Sequence, residues 1–153
     1  NAYIKVAETT YVNKDIYAAK INAAKTIEEV NAILTEMGVE ETQLTFEAEL
    51  ASAKESAKNA VVAAVGIYGI NVDEYFNEID VCTIVAAVEV VRDNAIAEIE
   101  AEIASYVAVV DNTYFKSLTE AVNAAGNGAT VVLLQDVSLN VASPLSFKKR
   151  WSS

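Results

Sequence analysis

The chain has 153 residues, 53% hydrophobic and 22% charged, which gives enough apolar material for a core and too much for a disordered polymer. Eleven Lys and Arg against 22 Asp and Glu leave a net charge of −11, which argues against nucleic acid and anionic membrane surfaces as partners. Histidine is absent, which removes Ser-His-Asp and Cys-His catalysis, His-ligated metals and the usual pH switch.

The one cysteine, Cys82, allows neither an intrachain disulfide nor a CxxC pair, and its apolar neighbours Val81, Ile84 and Val85 predict a buried, inert thiol. Asn1-Ala2-Tyr3-Ile4-Lys5 does not read as a signal peptide and fits a mature or excised fragment. The longest apolar stretch, residues 60–72, contains Gly66 and Gly69 and falls short of the ~20 residues of a membrane span, so no membrane insertion is expected.

The composition changes near residue 105, from Ala, Glu and Lys at spacings of three and four to β-branched runs with turn residues. The fold expected is mainly α with a small α/β C-terminal part. It comprises two three-helix-bundle-like units, residues 1–38 and 39–105, then a short helix-capped β segment, 106–153. The first unit starts with a helix over 2–10, a turn at 11–15 and a helix over 16–24. A third helix over 27–36 opens on a capping box, Thr26 with Glu29, and Gly38 stands where a helix-terminating glycine belongs. The second unit opens with a long helix over 41–68, whose apolar stripe is Phe46, Leu50, Ala53, Ala57, Val61, Ala64 and Tyr68, stopped by Gly69. Asn71 caps a short helix over 72–79, and a last helix over 83–104 carries Ile84, Val88, Val91, Ala95, Ile99 and Ile103 on one face. Two bundles in series and one continuous longer bundle both fit this pattern.

In the last third, 107–110 reads as a strand and Asp111-Asn112-Thr113 as a turn into Tyr114-Phe115. Ser117 and Glu120 form a second capping box for a helix over 118–125, Gly126-Asn127-Gly128 turns the chain, and 130–134 is a buried strand. Residues 138–141 and 145–147 read as further short strands. So small a segment buries little surface alone, so it leans on the helices, self-associates or continues into something longer. The tail from Lys148 to Ser153 holds three of the eleven basic residues.

No phosphate-binding loop, calcium loop, Ser-x-x-Lys pair or carboxylate pair in an apolar setting is present, so no cofactor, metal or catalytic residue is assigned, and the chain is read as non-enzymatic. Between Asn59 and Phe115 the only basic residue is Arg92, against ten acidic ones from Asp73 to Asp111. That stretch is a solvated acidic face or a surface for a basic partner.

The stretch 11–34, with its core Ile21-Asn22-x-Ala24-Lys25-Thr26-Ile27-Glu28-x-Val30 and with Tyr11, Asp15 and Tyr17 upstream, resembles the second and third helices of GA-type three-helix modules. Such modules, like the similar FIVAR repeats, occur on Gram-positive bacterial surface proteins, and some bind serum albumin. The second unit looks like a fainter copy: Ala53-Lys54 and Tyr68-Gly69-Ile70-Asn71 match the first helix and its exit, and Thr83-Ile84 stands at the spacing of Thr26-Ile27. The resemblance places a ligand-protein surface on the second and third helices and implies Tyr17, Ile21, Ala24, Thr26, Ile27 and Val30 as contacts. Ile21, Ile27 and Val30 are equally the residues a three-helix core needs. The C-terminal third, from Tyr114-Phe115-x-Ser117-Leu118 to Leu133-Leu134-x-Asp136-Val137, resembles the opening repeat of bacterial surface β-solenoids, where a short helix caps a right-handed parallel β-helix.

These features imply a segment of a secreted or wall-attached bacterial surface protein, serving as an adhesive module for a host serum or extracellular-matrix protein (albumin the first suspect) or as a spacer. Two alternatives stand beside it: the N-terminal part of a β-helix polysaccharide-degrading enzyme, and an assembly protein that self-associates through the β segment.

Overall fold

The computed structural model describes residues 1–135 and, as a strand, 145–148. Five helices run in order, α1 (Ala2–Ala7), α2 (Lys14–Ala23), α3 (Ile27–Val65), α4 (Asp73–Asp80) and α5 (Val85–Ser105). A small α/β part follows, with β1 (Ala108–Val110), β2 (Thr113–Phe115), α6 (Leu118–Ala124), β3 (Thr130–Leu133) and β4 (Leu145–Lys148). No helix among the described residues is long and apolar enough to cross a membrane.

The largest departure from the sequence reading is α3. The two helices expected over 27–36 and 41–68 are one helix of 39 residues, and Gly38 lies inside it. The backbone at Gly38 is not left-handed. The good helix formers around it outweigh the ~1 kcal/mol that glycine costs in a helix interior. The side chains beside it also pack: Met37 is buried in the first core, and Leu44 lies against it. A Cβ at position 38 would meet nothing within 4 Å. Gly38→Ala should therefore raise stability by about 0.5–1 kcal/mol, measured by urea unfolding; a helix-terminating glycine would give the opposite sign. The glycine that does end α3 is Gly66, at φ +55° and ψ −126°, so the helix stops at Val65 and not at Tyr68. Gly66→Ala should lose on the order of 1–3 kcal/mol in the same assay.

Smaller corrections follow from capping. Helix α2 begins at Lys14 because Asn13 Oδ1 accepts the N–H groups of Asp15 and Ile16. Asn71 Oδ1 accepts the Asp73 N–H at 2.8 Å, although Val72 occupies the cap position of α4. Helix α5 starts at Val85, with Ile84 and not Thr83 at its cap position and no side-chain cap, so the second unit runs one residue out of the register read from Thr83-Ile84.

Three cores result. The first holds Val6, Val12, Tyr17, Ile21 and Met37, from α1, the following turn, α2 and the start of α3. The second holds Ala57, Val61, Val65, Ile79, Val88, Ala95 and Ile99, from the rest of α3 with α4 and α5. Leu50, Ala53 and Ala64 of the expected stripe pack against it. Phe46 and Ile84 are exposed instead, at 41% and 51%. Cys82 is half-buried, not buried, and its thiol donates to the Glu78 carbonyl.

The third core joins Ala108, Val110, Ala121, Ala125, Val131 and Leu133. The strand order is β2-β1-β3-β4 and every described pair is antiparallel, so no parallel coil forms among these residues. Asp111 and Asn112, both at positive φ, make the β1–β2 turn, and Ser117 caps α6 by accepting the Glu120 N–H. This part does lean on the helices. The rings of Tyr68, Tyr106 and Tyr114 cluster with centroids 4.6–6.0 Å apart, Lys116 pairs with Glu102 at 2.7 Å, and Gln135 donates to the carbonyls of Ala104 and Tyr106. The strand expected over 138–141 and the tail beyond Lys148 lie outside the described residues.

Candidate functional site

The turn between α2 and α3 is fixed by its own side chains. Thr26 Oγ1 accepts the Glu29 N–H at 3.1 Å, and Glu29 reaches back to the Lys25 N–H at 2.5 Å, one residue upstream of the reciprocal partner a capping box has. This lock sets the last residues of α2 against the first turns of α3 and leaves an open groove of about 400 Å³. Lys20, Ala23, Ala24, Glu29, Ala32 and Ile33 line it. Its floor is apolar and shallow because three of the six side chains are alanine, and Lys20 and Glu29 place one charge of each sign at its rim. Lys20 is held in place by Glu36 at 2.7 Å and by the ring of Tyr17, 5.1 Å from its Nζ.

Of the six residues implied by the resemblance, only Ala24 lines this groove. Tyr17 and Ile21 are buried core residues, 2% and 7% exposed, so their side chains face inward. Thr26 is exposed and serves as the cap of α3. Val30 is half-buried. Ile27 is 75% exposed, but at 100° per residue it lies about half a turn around α3 from Glu29 and Ala32, away from the groove. Ala23, Ala32 and Ile33 were not singled out from the sequence. The available signal was the run 29, 32, 33 beginning inside the capping box.

Two acidic residues further along α3 tie α2 and the α1–α2 turn to it. The Tyr17 hydroxyl donates to Glu40. That hydrogen bond, with burial and the charges of Glu40 and Glu36, pushes the phenol up to about 12 from an ordinary 10. Because the folded value is raised, the stabilisation this contact gives is complete below pH 10 and is lost as pH rises through about 12. Ultraviolet titration of wild type minus Tyr17→Phe should show one phenol ionising near that value, and Glu40→Gln should move it back down. The Glu41 carboxylate accepts the N–H groups of Thr10, Tyr11 and Val12 at 2.5–3.1 Å, tying the α1–α2 turn to α3. Against desolvation, which pulls the other way, these bonds hold Glu41 below the usual carboxylate value, so this tie loosens only in acid.

The second module repeats the same construction at a constant interval along the chain. Asn71 stands for Asn13 and Ile79 for Ile21, and the Tyr75 hydroxyl bonds Glu98 at 3.0 Å as Tyr17 bonds Glu40.

Such paired helical hairpins, each closed by a third helix, define the class of small three-helix modules. The family model described as GA-like domain matches residues 12–37 and 43–96, more than half of the chain, and the chain belongs to the GA-like family. No curated protein and no solved structure gives a significant match.

Proposed function

We propose that the chain is a non-catalytic protein-binding module of a bacterial cell-surface or secreted protein, and that it holds an apolar segment of a host protein in the α2–α3 groove. The observation that carries this reading is the groove itself: alanine-floored, open, rigidly framed by the Thr26–Glu29–Lys25 lock, and charged only at its rim. Membership of the GA-like family is compatible with a surface protein that binds proteins. Serum albumin is the first ligand to test, followed by extracellular-matrix proteins. The resemblance of residues 114–137 to the opening repeat of surface β-solenoids supports a lead-in to such a solenoid on the same protein, of which the antiparallel sheet itself forms no coil.

The test is retention of plasma and matrix proteins on the immobilised chain, beside an Ala32→Glu variant. Position 32 is exposed, so the variant stays folded and helical by circular dichroism. One protein retained by wild type and weakened at least tenfold, about 1.4 kcal/mol, by Ala32→Glu establishes the groove as the site. Retention that ignores the substitution moves the site elsewhere, and no saturable ligand leaves the chain a spacer.

A further inference from the structure

The turn Gly126-Asn127-Gly128, which joins α6 to β3, has no part in the binding reading. The Ala129 N–H donates to the Gly126 carbonyl at 3.0 Å and Gly128 stands at φ +82°, the arrangement of a type II turn with glycine at its third position. Gly126, Asn127 and Gly128 are all exposed, and a Cβ at either glycine would meet nothing within 4 Å. Among the described residues the Asn127 side chain has no hydrogen-bond partner, and the Gly128 N–H donates to none. A carboxamide and the backbone nitrogen next to it are therefore both free to react with each other.

No other asparagine combines these features. Asn127 is the only one followed by glycine. Asn22, Asn31, Asn59, Asn77, Asn94 and Asn123 lie in helices, where the next residue's N–H is committed to the carbonyl four residues back. Asn1, Asn13 and Asn71 hold their side-chain oxygens on helix N–H groups. Asn112 and Asn140 precede the β-branched Thr113 and Val141, whose side chains crowd the attacking nitrogen.

We propose that Asn127 is a site of spontaneous deamidation, and that its product loosens the β part while the helical modules stay intact. The Gly128 nitrogen gives up its proton to hydroxide and attacks Asn127 Cγ. A new C–N bond forms, the side-chain nitrogen leaves as ammonia, and a five-membered succinimide remains. Water then opens the ring at one of its two carbonyls. Opening at Cγ leaves aspartate, and opening at the main-chain carbonyl leaves isoaspartate, with the chain running through the former side chain. Nothing is oxidised or reduced, and water is the only co-reactant. Glycine at 128 offers no side chain to block the attack and accepts φ of either sign, so the peptide between the two residues flips readily toward the reacting geometry.

Either product adds one negative charge, and isoaspartate also lengthens the main chain by a methylene between α6 and β3. Strand β3 lies between β1 and β4, and its Val131 and Leu133 share the third core with Ala121 and Ala125, just ahead of the turn. An extra backbone atom there must shift β3 against α6 or open the Ala129–Gly126 hydrogen bond. The cores of the two helical modules share no residue with the third. The inference is independent of the groove and stands whatever the chain binds.

The full chain is aged in warm neutral buffer and followed by peptide mass mapping and by an isoaspartyl methyltransferase assay. The mass gain of an amide becoming an acid is expected first at Asn127, sooner as pH is raised, with isoaspartate among the products. Asn127→Gln, whose longer side chain would have to close a six-membered ring, should slow the conversion at least tenfold, and the exposed position leaves the fold unchanged. In the aged chain amide exchange at Val131 and Leu133 should quicken while Ile21 and Ile79 keep their protection. Fresh Asn127→Asp, which carries the charge without the extra methylene, should keep Val131 protected. Conversion at Asn127 no faster than at Asn123 overturns the site. Isoaspartate at 127 with Val131 still fully protected overturns the loosening.

Discussion

Ile99→Ala is expected to destabilise the second module by about 3–5 kcal/mol, at the upper end of the range for buried aliphatic truncations. Ile99 is fully buried, and its core neighbours include Ala57 and Ala95. Alanine side chains have no rotamers with which to fill a void, and the close helix approach they permit between α3 and α5 resists further collapse, so most of the cavity remains. Val90→Ala, on the same helix but at a position 58% exposed, should change stability by less than about 0.5 kcal/mol. Thermal unfolding of the two variants side by side checks both, and equal small effects would mean that α3 and α5 are not packed as described.

Gly38→Pro is expected to remove at least about 3 kcal/mol and to break the cooperativity of the helical part. Proline at 38 deletes a hydrogen bond in the middle of α3 and drives its ring against the carbonyl of Leu34. The damage falls beside Met37, which belongs to the first core, while Ala57, Val61 and Val65 lie several turns away in the second. The first module should therefore melt at lower temperature and the second should persist, giving two calorimetric transitions. Amide exchange at Ile21 should accelerate far more than at Ile79. A single transition lowered as a whole would instead show that the two cores fold as one unit. Together with the gain expected from Gly38→Ala, the proline variant separates loss of a helix from loss of a glycine.

What the sequence disclosed was local chemistry. Thr26, Ser117 and Asn71 each place an oxygen within hydrogen-bond reach of an N–H two or three residues on, and such contacts depend on nothing beyond the turn itself. Gly38 shows the limit. A glycine after a helical run has the same local signature whether it ends the helix or sits within it. The decision rests with packing of Met37 and Leu44 against α1 and α2, which spacing does not reveal. Thr83 misled in the converse way: it stands at the spacing of Thr26 and reads as the start of a helix, yet α5 begins at Val85, its register set by burial of Val88, Ala95 and Ile99. For the site, periodicity found the apolar positions of α2 and α3 but could not sort inward from outward. Tyr17 and Ile21 turned in, and Ile27 turned out. The contact of Tyr17 with Glu40 joins residues far apart in the chain, for which no spacing rule exists.

The shared helix also makes the angle between the modules a matter of counting. An α-helix advances 1.5 Å and turns 100° with each residue, and α3 is continuous through both cores. One residue inserted between its exposed Phe46 and Glu47, past the first module's Glu40, Glu41 and Leu44 and before Leu50 of the second, would leave each module's own contacts available. It would swing the second module by roughly a quarter turn or more about the common axis. The compass bearing of the α4–α5 side relative to the α2–α3 groove is thus written in the number of residues between Leu44 and Leu50. A partner that touched both modules at once would read that number as geometry.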